Sequence, residues 1–360
     1  MMNFALGPVE MYPHTLEVAS HPIPYFRTPE FSEVMLESEL LLKEMVGAND
    51  TTKTVFLTAS GTGAMEATVI NCLDTQDRVL IINGGIFGKR FVEICIAHHI
   101  PYDEIVLPYG ETLTEEHFLP FENKGITALL INIHETSTGQ LYDCDMVSRF
   151  CKRNNALFIV DAISSFLADT YEMSRYGIDV TILSSQKGLA IAPGMSFVIL
   201  SERLYRERVC RINASVMYFD FKDHIENQKR GQTPFTPAVG VALELNDMLR
   251  HLRDEGLSAR LNKVNKIVRD FRSRVKQIGY EYPVYPLSNA CTPLIFEKTG
   301  AVFVYETLKK EYEIILTPCG GDLKDRMVRV GHIGNHTIEE NDILLRALEE
   351  VMCRMQKETK

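Results

Sequence analysis

Short apolar runs alternate with longer stretches of helical periodicity over about the first 210 residues, and this alternation constrains the fold most. Six runs have the length and β-branched content of buried strands: 54–58, 78–84, 128–133, 156–161, 180–185 and 195–200. Stretches with helical spacing lie between several of them, at 64–73, 91–99 and 146–154. Strands that are apolar on both faces are typical of parallel sheets covered by helices on both sides. We therefore predict an α/β fold.

The second half of the chain has a different pattern. Two long helical stretches lie on either side of Gly256, and they are followed by short extended pieces and a terminal amphipathic helix from about residue 338. We predict a large domain over residues 16–245 and a smaller α+β domain over residues 246–360. The N-terminal segment 1–15 is expected to pack with the small domain.

Charge and composition exclude several classes of partner. The 360 residues carry a formal charge of −10 without long runs of like charge, which argues against nucleic acid and anionic membranes as main partners. No apolar run reaches the roughly 18 residues of a membrane-spanning helix, and no leader pattern is visible, so a cytoplasmic location is expected. The eight cysteines are scattered, and His98 and His99 are adjacent, so neither disulfides nor a metal site is predicted.

The segment TASGTGAMEA follows the first predicted strand and suggests an anion site. In open α/β sheets, ligands bind at the carboxyl ends of the strands. Ser60, Gly61 and Thr62 lie where a helix begins, and the free N–H groups and positive dipole end of a helix favour a phosphate there. An ordinary helix N-cap is the alternative. The segment lacks the Gly-Lys-Ser/Thr of a nucleotide-hydrolysing loop.

Two ionisable residues follow other predicted strands. Asp161 ends the apolar run ALFIV, where a buried carboxylate needs a partner such as a protonated pyridine nitrogen, although it could also cap a helix. Lys187 lies in SSQKGLAIAPG, where desolvation would lower its pKa toward imine chemistry, although most lysines are solvated. A lysine and a carboxylate placed in this way are the groups that pyridoxal phosphate chemistry needs most.

Phe87 and Arg329 are two more candidate residues for a ligand site. Phe87 follows a strand and could lie flat on a cofactor ring, with a place in the core as the alternative. Arg329 lies inside the apolar run of MVRVGHIG, where it needs an anionic partner, either a substrate carboxylate or a structural carboxylate. Tyr25, Phe26 and Arg27 are further candidates for the lining of a pocket, although Arg27 could equally form a structural pair.

The motifs taken together resemble those of the class V aminotransferases among the fold-type I pyridoxal phosphate enzymes. The resemblance is greatest to alanine/serine–glyoxylate (or pyruvate) aminotransferases and to 2-aminoethylphosphonate–pyruvate transaminases. It covers nearly the whole chain through LGPVEM, RTPEF, TASGTGAMEA, HETSTG, VDAISS, SSQKGLAIAPG, TPFTPAVG and RVGHIG. It implies a large domain with a mainly parallel seven-stranded sheet and a smaller C-terminal α+β domain. Phe166 and Leu167 stand where these relatives often have Gly-Gly.

The resemblance also implies pyridoxal 5′-phosphate as cofactor and a role for each matching residue. Lys187 would form the imine and move the proton, while Asp161 would pair with the pyridine nitrogen. The other residues implied to contact the cofactor are Ser60, Gly61, Thr62 and Gln186 at the phosphate, Thr136 at the phenolic oxygen, and Phe87 and Ile163 on the two ring faces.

The substrate and a second subunit have implied contacts as well. Arg329 would bind the substrate carboxylate, with the backbone of Gly7 and Pro8 closing over it. Thr236, or Thr233, would reach the cofactor phosphate of the partner subunit. The resemblance therefore implies a homodimer with shared active sites.

The predicted reaction is a ping-pong transfer from a small amino donor of the alanine or serine type to pyruvate or glyoxylate. 2-Aminoethylphosphonate is the alternative donor, since HETSTG and VDAISSF look closer to those enzymes. A cysteine desulfurase or lyase is disfavoured because Phe87 occupies the stacking position and Cys319 lies only ten residues before Arg329. An inactive relative is disfavoured by the intact Lys187, Asp161 and Arg329, and a dehydrogenase by the missing G-x-G-x-x-G.

Overall fold

The computed structural model describes residues 1–296 and 300–358. The strands, in chain order, are β1 (Met2–Asn3), β2 (Lys53–Leu57), β3 (Val79–Asn83), β4 (Tyr102–Val106), β5 (Ala128–Asn132), β6 (His134–Glu135), β7 (Gln140–Leu141), β8 (Leu157–Asp161), β9 (Val180–Ser184), β10 (Ser196–Leu200), β11 (Cys291–Ile295), β12 (Ile314–Ile315), β13 (Thr317–Pro318) and β14 (Met327–Gly331).

The α-helices are α1 (Pro13–Ala19), α2 (Pro29–Met45), α3 (Gly61–Cys72), α4 (Ile86–Ala97), α5 (Cys144–Asn154), α6 (Met173–Tyr176), α7 (Glu202–Leu204), α8 (Phe221–Gln228), α9 (Val239–Glu255), α10 (Leu257–Val275), α11 (Ala301–Glu311) and α12 (Ile338–Glu358). Short 3₁₀ segments occur at Glu115–Phe121, Lys276–Ile278 and Gly321–Leu323, and a π-helical turn at Tyr205–Val209. Within the ranges that the structure describes, no helix is both long enough and apolar enough to cross a membrane.

The main sheet has seven strands in the order β2-β10-β9-β8-β5-β3-β4. Its strands run parallel except β10, which is antiparallel to β2 and β9. All six predicted strands are present, and the expected mainly parallel seven-stranded sheet is confirmed. The sequence did not predict β4, because this edge strand has one neighbour and the partly polar sequence YDEIV, which leaves no apolar run to recognise.

Both faces of the main sheet are covered. Ile81, Leu130 and Ile159 pack on one face with side chains from α3 and α4. The adjacent residues Leu80 and Leu129 point to the opposite face, where α2, α5 and α9 contribute to a second cluster. Because neighbouring strand residues are buried on opposite faces, the strands read as continuous apolar runs.

A second, three-stranded antiparallel sheet in the order β11-β14-β13 lies in the C-terminal part. Its core includes Phe271 of α10 and Leu348 of α12, and Phe4 of the N-terminal segment packs into the same cluster. Strand β1 pairs in parallel with β12. The N-terminal segment thus contacts the C-terminal part, while the predicted boundary at residue 245 falls inside α9 and stays a prediction.

Candidate active site

A cavity of about 170 Å³ lies at the carboxyl ends of the central strands. Nine predicted cofactor residues line it: Ser60, Gly61, Thr62, Phe87, Thr136, Asp161, Ile163, Gln186 and Lys187. Met65 and Ser164, which were not among the predicted residues, also line the cavity. The structure therefore brings together residues that are up to 127 positions apart in the sequence, from Ser60 to Lys187.

The first turn of α3 forms one wall of this cavity. The Ser60 side chain caps the helix by accepting from the Gly63 N–H at 3.3 Å. The N–H groups of Gly61 and Thr62 have no intrahelical acceptor, as is general for a first helical turn. Arg90 donates to Thr62 Oγ1 at 2.9 Å and adds a positive charge that the sequence analysis missed. Free N–H groups beside a guanidinium form a wall suited to a phosphate.

Asp161 closes strand β8 on another wall of the cavity. One carboxylate oxygen accepts the Ile163 N–H at 2.8 Å, which is the one hydrogen bond that its side chain makes within the described ranges. Burial raises the pKa of Asp161 from 3.8 to about 7. A buried carboxylate with a free oxygen toward a cavity is suited to a cationic partner that would restore its charge.

This raised pKa predicts how the stability of the cofactor-free protein depends on pH. Between about pH 4 and 7, Asp161 holds its proton in the folded state but releases it in the unfolded state. The free energy of unfolding should therefore fall across this window as pH rises, by a few kcal/mol from this group. Asp161→Asn removes the effect, so Tm of the variant should rise relative to the unmodified protein from pH 4 to 7 and then level off.

Thermal unfolding of both cofactor-free proteins across pH 4–8 measures this difference. Burial also raises the pKa of Asp169, to about 6, but that residue titrates in both proteins and cancels in the comparison. A difference in Tm that stays constant over the window would show that Asp161 titrates normally.

Lys187 lies under the N-terminal segment. Its Nζ donates to the Leu6 carbonyl at 2.5 Å, and the Val9 N–H donates to the Gln186 carbonyl at 3.2 Å. Gly7 has φ of 141°, and a Cβ atom there would lie 2.8 Å from Lys187 Nζ, so the close approach requires glycine. Burial lowers the pKa of Lys187 to about 8, and the positive charge of Arg329 acts in the same direction. The geometry thus favours a lysine that can lose its proton near neutral pH.

Phe87 is held at the cavity by the first turn of α4. The buried Glu135 carboxylate accepts the N–H groups of Phe87 at 3.4 Å and Gly88 at 3.0 Å, and the Asn132 amide at 2.9 Å. A negative charge at the start of a helix is favourable because of the helix dipole. Glu135 therefore fixes the helix start that presents Phe87, a positioning contact that the sequence analysis did not assign.

A line of buried polar groups extends away from Thr136. Thr136 Oγ1 lies 2.6 Å from Ser164 Oγ, which in turn lies 3.0 Å from His134 Nδ1. The other ring nitrogen of His134 is 3.7 Å from Cys291 Sγ. Burial lowers the pKa of His134 to about 3, so its ring is neutral at physiological pH. These contacts orient the Thr136 hydroxyl at the cavity.

Arg329 lies between this cavity and a larger one. Its side chain is 8% exposed and donates to the carbonyls of Thr136 at 2.7 Å and Pro318 at 2.8 Å, while Nε has no hydrogen-bond partner among the described residues. The larger cavity has a volume of about 880 Å³. Its lining includes Arg329, residues at the start of α4 and residues of the Cys319–Arg326 segment. Two of five guanidinium donors hold the residue in place, so the others can bind an anion.

The remaining predicted residues lie outside both cavities. The Thr233 hydroxyl is buried and donates to the Phe235 carbonyl at 2.7 Å, whereas Thr236 is exposed. Arg27 donates to the Thr233 and Pro234 carbonyls, which makes it a structural residue. Pro8 follows Gly7 above Lys187, and its carbonyl accepts from Asn3.

Phe166 and Leu167 are buried in the core cluster behind the site and do not line the cavity. Leu167 has φ of 64°, a left-handed conformation that glycine adopts at lower cost. The departure from Gly-Gly in this chain therefore changes the packing of the core rather than the lining of the cavity.

One group of possible metal ligands lies away from these cavities. The ligand atoms of His14, Asp247 and His251 lie within 4.8 Å of one another, at the contact between α1 and α9. His14 Nδ1 is 2.5 Å from an Asp247 oxygen, and the two imidazole rings stack with centroids 3.6 Å apart. No sequence motif predicts this group, because residues 14 and 247 are far apart in the chain.

A mainly parallel sheet with a lysine, a carboxylate and a helix start at one cavity defines the fold-type I architecture of pyridoxal phosphate enzymes. The class-V aminotransferase family matches residues 19–292, and the chain belongs to this family of pyridoxal-phosphate-dependent transaminases. The resemblance noted from the motifs is confirmed.

Individual proteins are similar to this chain over nearly its whole length. An aspartate aminotransferase of subgroup IV from Thermus thermophilus is 27% identical with a TM-score of 0.91, and the match covers 98% of this chain and 99% of that one. An alanine–glyoxylate aminotransferase from Nostoc sp. is 26% identical with a TM-score of 0.91, covering 98% and 95%. A protein of Synechococcus sp. (strain PCC 6716) named soluble hydrogenase, small subunit, is 31% identical over 94% of this chain and 89% of its own length.

Proposed function

We propose that this transaminase moves an amino group from a small amino donor to pyruvate or glyoxylate in two half-reactions at the 170 Å³ cavity. The observation that carries the proposal is the convergence of Lys187, Asp161 and the start of α3 on one cavity, with Arg329 beside it. The two similar solved structures are named an aspartate aminotransferase and an alanine–glyoxylate aminotransferase.

The residues of the cavity fit pyridoxal 5′-phosphate. Ser60, the N–H groups of Gly61 and Thr62, and Gln186 would hold its phosphate, and Asp161 would pair with its ring nitrogen. Phe87 and Ile163 would hold the ring, with Thr136 at its phenolic oxygen. When bound, the cofactor supplies an aldehyde for the amino groups and a ring that accepts electrons from the substrate carbon.

Lys187 would act as the base that moves the proton of the substrate α-carbon. Burial and the Arg329 charge lower its pKa to about 8, so a useful fraction of the amine is neutral near pH 8. Its contact with the Leu6 carbonyl places Nζ at the cavity and beneath the N-terminal segment. Residues 6–9 would thereby exclude water from the reacting atoms while Arg329 orients the substrate carboxylate.

A screen of donors and acceptors tests the proposal. The protein reconstituted with pyridoxal phosphate is mixed with alanine, serine, aspartate or 2-aminoethylphosphonate, followed by pyruvate or glyoxylate. We expect amino donors to change the visible absorbance and an oxo acid to restore it, with stoichiometric formation of the new amino acid. Release of sulfide from cysteine without amino transfer would instead favour a desulfurase, and absorbance that no donor changes would contradict the proposal.

A homodimer with shared active sites is the second part of the proposal. Exposed apolar side chains surround the Thr236 segment: Tyr218 stacks on Phe235 with centroids 5.0 Å apart, and Ile23 lies beside Gly240. The Thr236 hydroxyl makes no hydrogen bond within the described ranges, unlike that of Thr233. These features support Thr236 as the residue that reaches the cofactor phosphate of a second copy.

Complementation between two inactive variants tests the shared site. Lys187→Ala inactivates the site that its own chain builds, and Thr236→Glu would place a negative charge against the phosphate in the partner's site. A mixed dimer then contains one intact site, so equal mixing and subunit exchange should restore about a quarter of the original activity. Mixtures that remain inactive although mixed dimers form would show that Thr236 acts within its own chain, and full activity of Thr236→Glu by itself would show that Thr236 has no role.

A further inference from the structure

The 880 Å³ cavity beside the catalytic cavity carries an excess of positive charge. Its lining includes three cations, Lys89, Arg326 and Arg329, and one carboxylate, Asp322, which leaves a formal charge of +2 (three minus one). The chain as a whole carries −10. A concave surface with this local excess of positive charge concentrates anions.

Two of these cations are without a side-chain partner among residues 1–296 and 300–358. Neither Arg326 nor Lys89 makes a side-chain hydrogen bond or ion pair with any residue in the described ranges, whereas most other arginines of the chain are paired. Both side chains are exposed at the cavity wall. Tyr109 lines the same cavity as Arg326; burial raises the pKa of its hydroxyl, and the positive charge of Arg326 opposes this.

Arg329 and Arg326 belong to one continuous piece of chain. Arg329 lies within β14, and Arg326 lies one residue before the strand begins. Arg329 is held by the carbonyls of Thr136 and Pro318, so it is a fixed inner cation, and Arg326 is an outer one. Two cations at different depths of one cavity can bind two negative charges of one substrate.

Resting on the function proposed above, we propose that Arg326, assisted by Lys89, forms a second anion subsite that selects substrates with two negative charges. The shared chemistry is a second negative charge on the substrate. In aspartate a second carboxylate carries it, and in 2-aminoethylphosphonate the phosphonate dianion carries it. Alanine and serine carry one negative charge and would leave this subsite without a ligand.

Substrate ratios in matched variants test the subsite. We measure kcat/KM for aspartate, 2-aminoethylphosphonate and alanine with a common acceptor in the unmodified protein, Arg326→Gln and Lys89→Gln. Arg326→Gln should lower the ratio of kcat/KM for the dianionic donor to that for alanine about tenfold, and Lys89→Gln should lower it less. Lys324→Gln is the matched control, because Lys324 is an exposed cation of the same segment that does not line the cavity.

The outcomes separate this subsite from the function itself. A fall in the aspartate ratio alone identifies a dicarboxylate, and a fall in the phosphonate ratio alone identifies a phosphonate. If alanine is a substrate but Arg326→Gln changes neither ratio more than Lys324→Gln does, the subsite is wrong and the transaminase assignment remains. If neither these three donors nor serine reacts with the unmodified protein, the proposed function itself fails.

Discussion

Replacing Lys187 with alanine should lower the rate of amino transfer by about 10²- to 10⁴-fold, because the variant lacks the amine that moves the substrate proton. The structure shows this amine at a cavity wall, with its pKa lowered to about 8 by burial and by Arg329. Rapid mixing of the reconstituted variant with a donor, followed by visible absorbance, measures the loss for a single half-reaction.

Two further variants sharpen this result. Lys187→Arg keeps the positive charge but not a dissociable proton, so it should be as inactive as alanine. Lys152→Ala removes an exposed lysine of α5 and should retain full activity. Circular dichroism shows whether loss of the contact with the Leu6 carbonyl alters the fold. A folded Lys187→Ala variant with more than about a tenth of the original activity would remove this residue from the mechanism.

Replacing Asp161 with asparagine should reduce kcat roughly 10²- to 10³-fold, because the variant loses the buried charge that would keep the cofactor nitrogen protonated. Asparagine preserves the side-chain shape and can still accept the Ile163 N–H. The expected loss therefore follows from charge rather than from packing. Steady-state kinetics at saturating cofactor measures this loss, and a cofactor titration separates it from weakened binding.

Asp169→Asn is the control for the loss of a buried carboxylate. Burial also raises the pKa of Asp169, but this carboxylate accepts from Ser288 and Asn289 and does not line the cavity. The Asp169 variant should lose stability with little change in kcat. The Asp161 variant should lose kcat when the cofactor is bound, without losing stability in the cofactor-free state near pH 7. Equal kinetic losses in both folded variants would mean that Asp161 has only a structural role.

The sequence predicted the class of fold because parallel strands buried on two faces leave unbroken apolar runs. It also predicted which residues converge, because ligand-binding residues lie at the carboxyl ends of such strands. The motifs around Ser60, Asp161 and Lys187 also occur in the order of the family that they resemble. Strand β4 was missed because its edge position leaves polar residues in the strand. Arg90 was missed because a single arginine on a helix gives no signal in the sequence.

Local patterns thus predicted the fold class and the strand-end residues Ser60, Asp161 and Lys187, because periodicity and strand ends are properties of neighbouring residues. The resemblance of the motifs to a family implied the other predicted residues of the 170 Å³ cavity. Only the tertiary structure placed Leu6 above Lys187, joined Ser164 to Thr136, and set Arg326 and Lys89 in one wall with Arg329. These contacts join elements that are distant in the chain, and their energies depend on burial and charge at positions that no local pattern encodes.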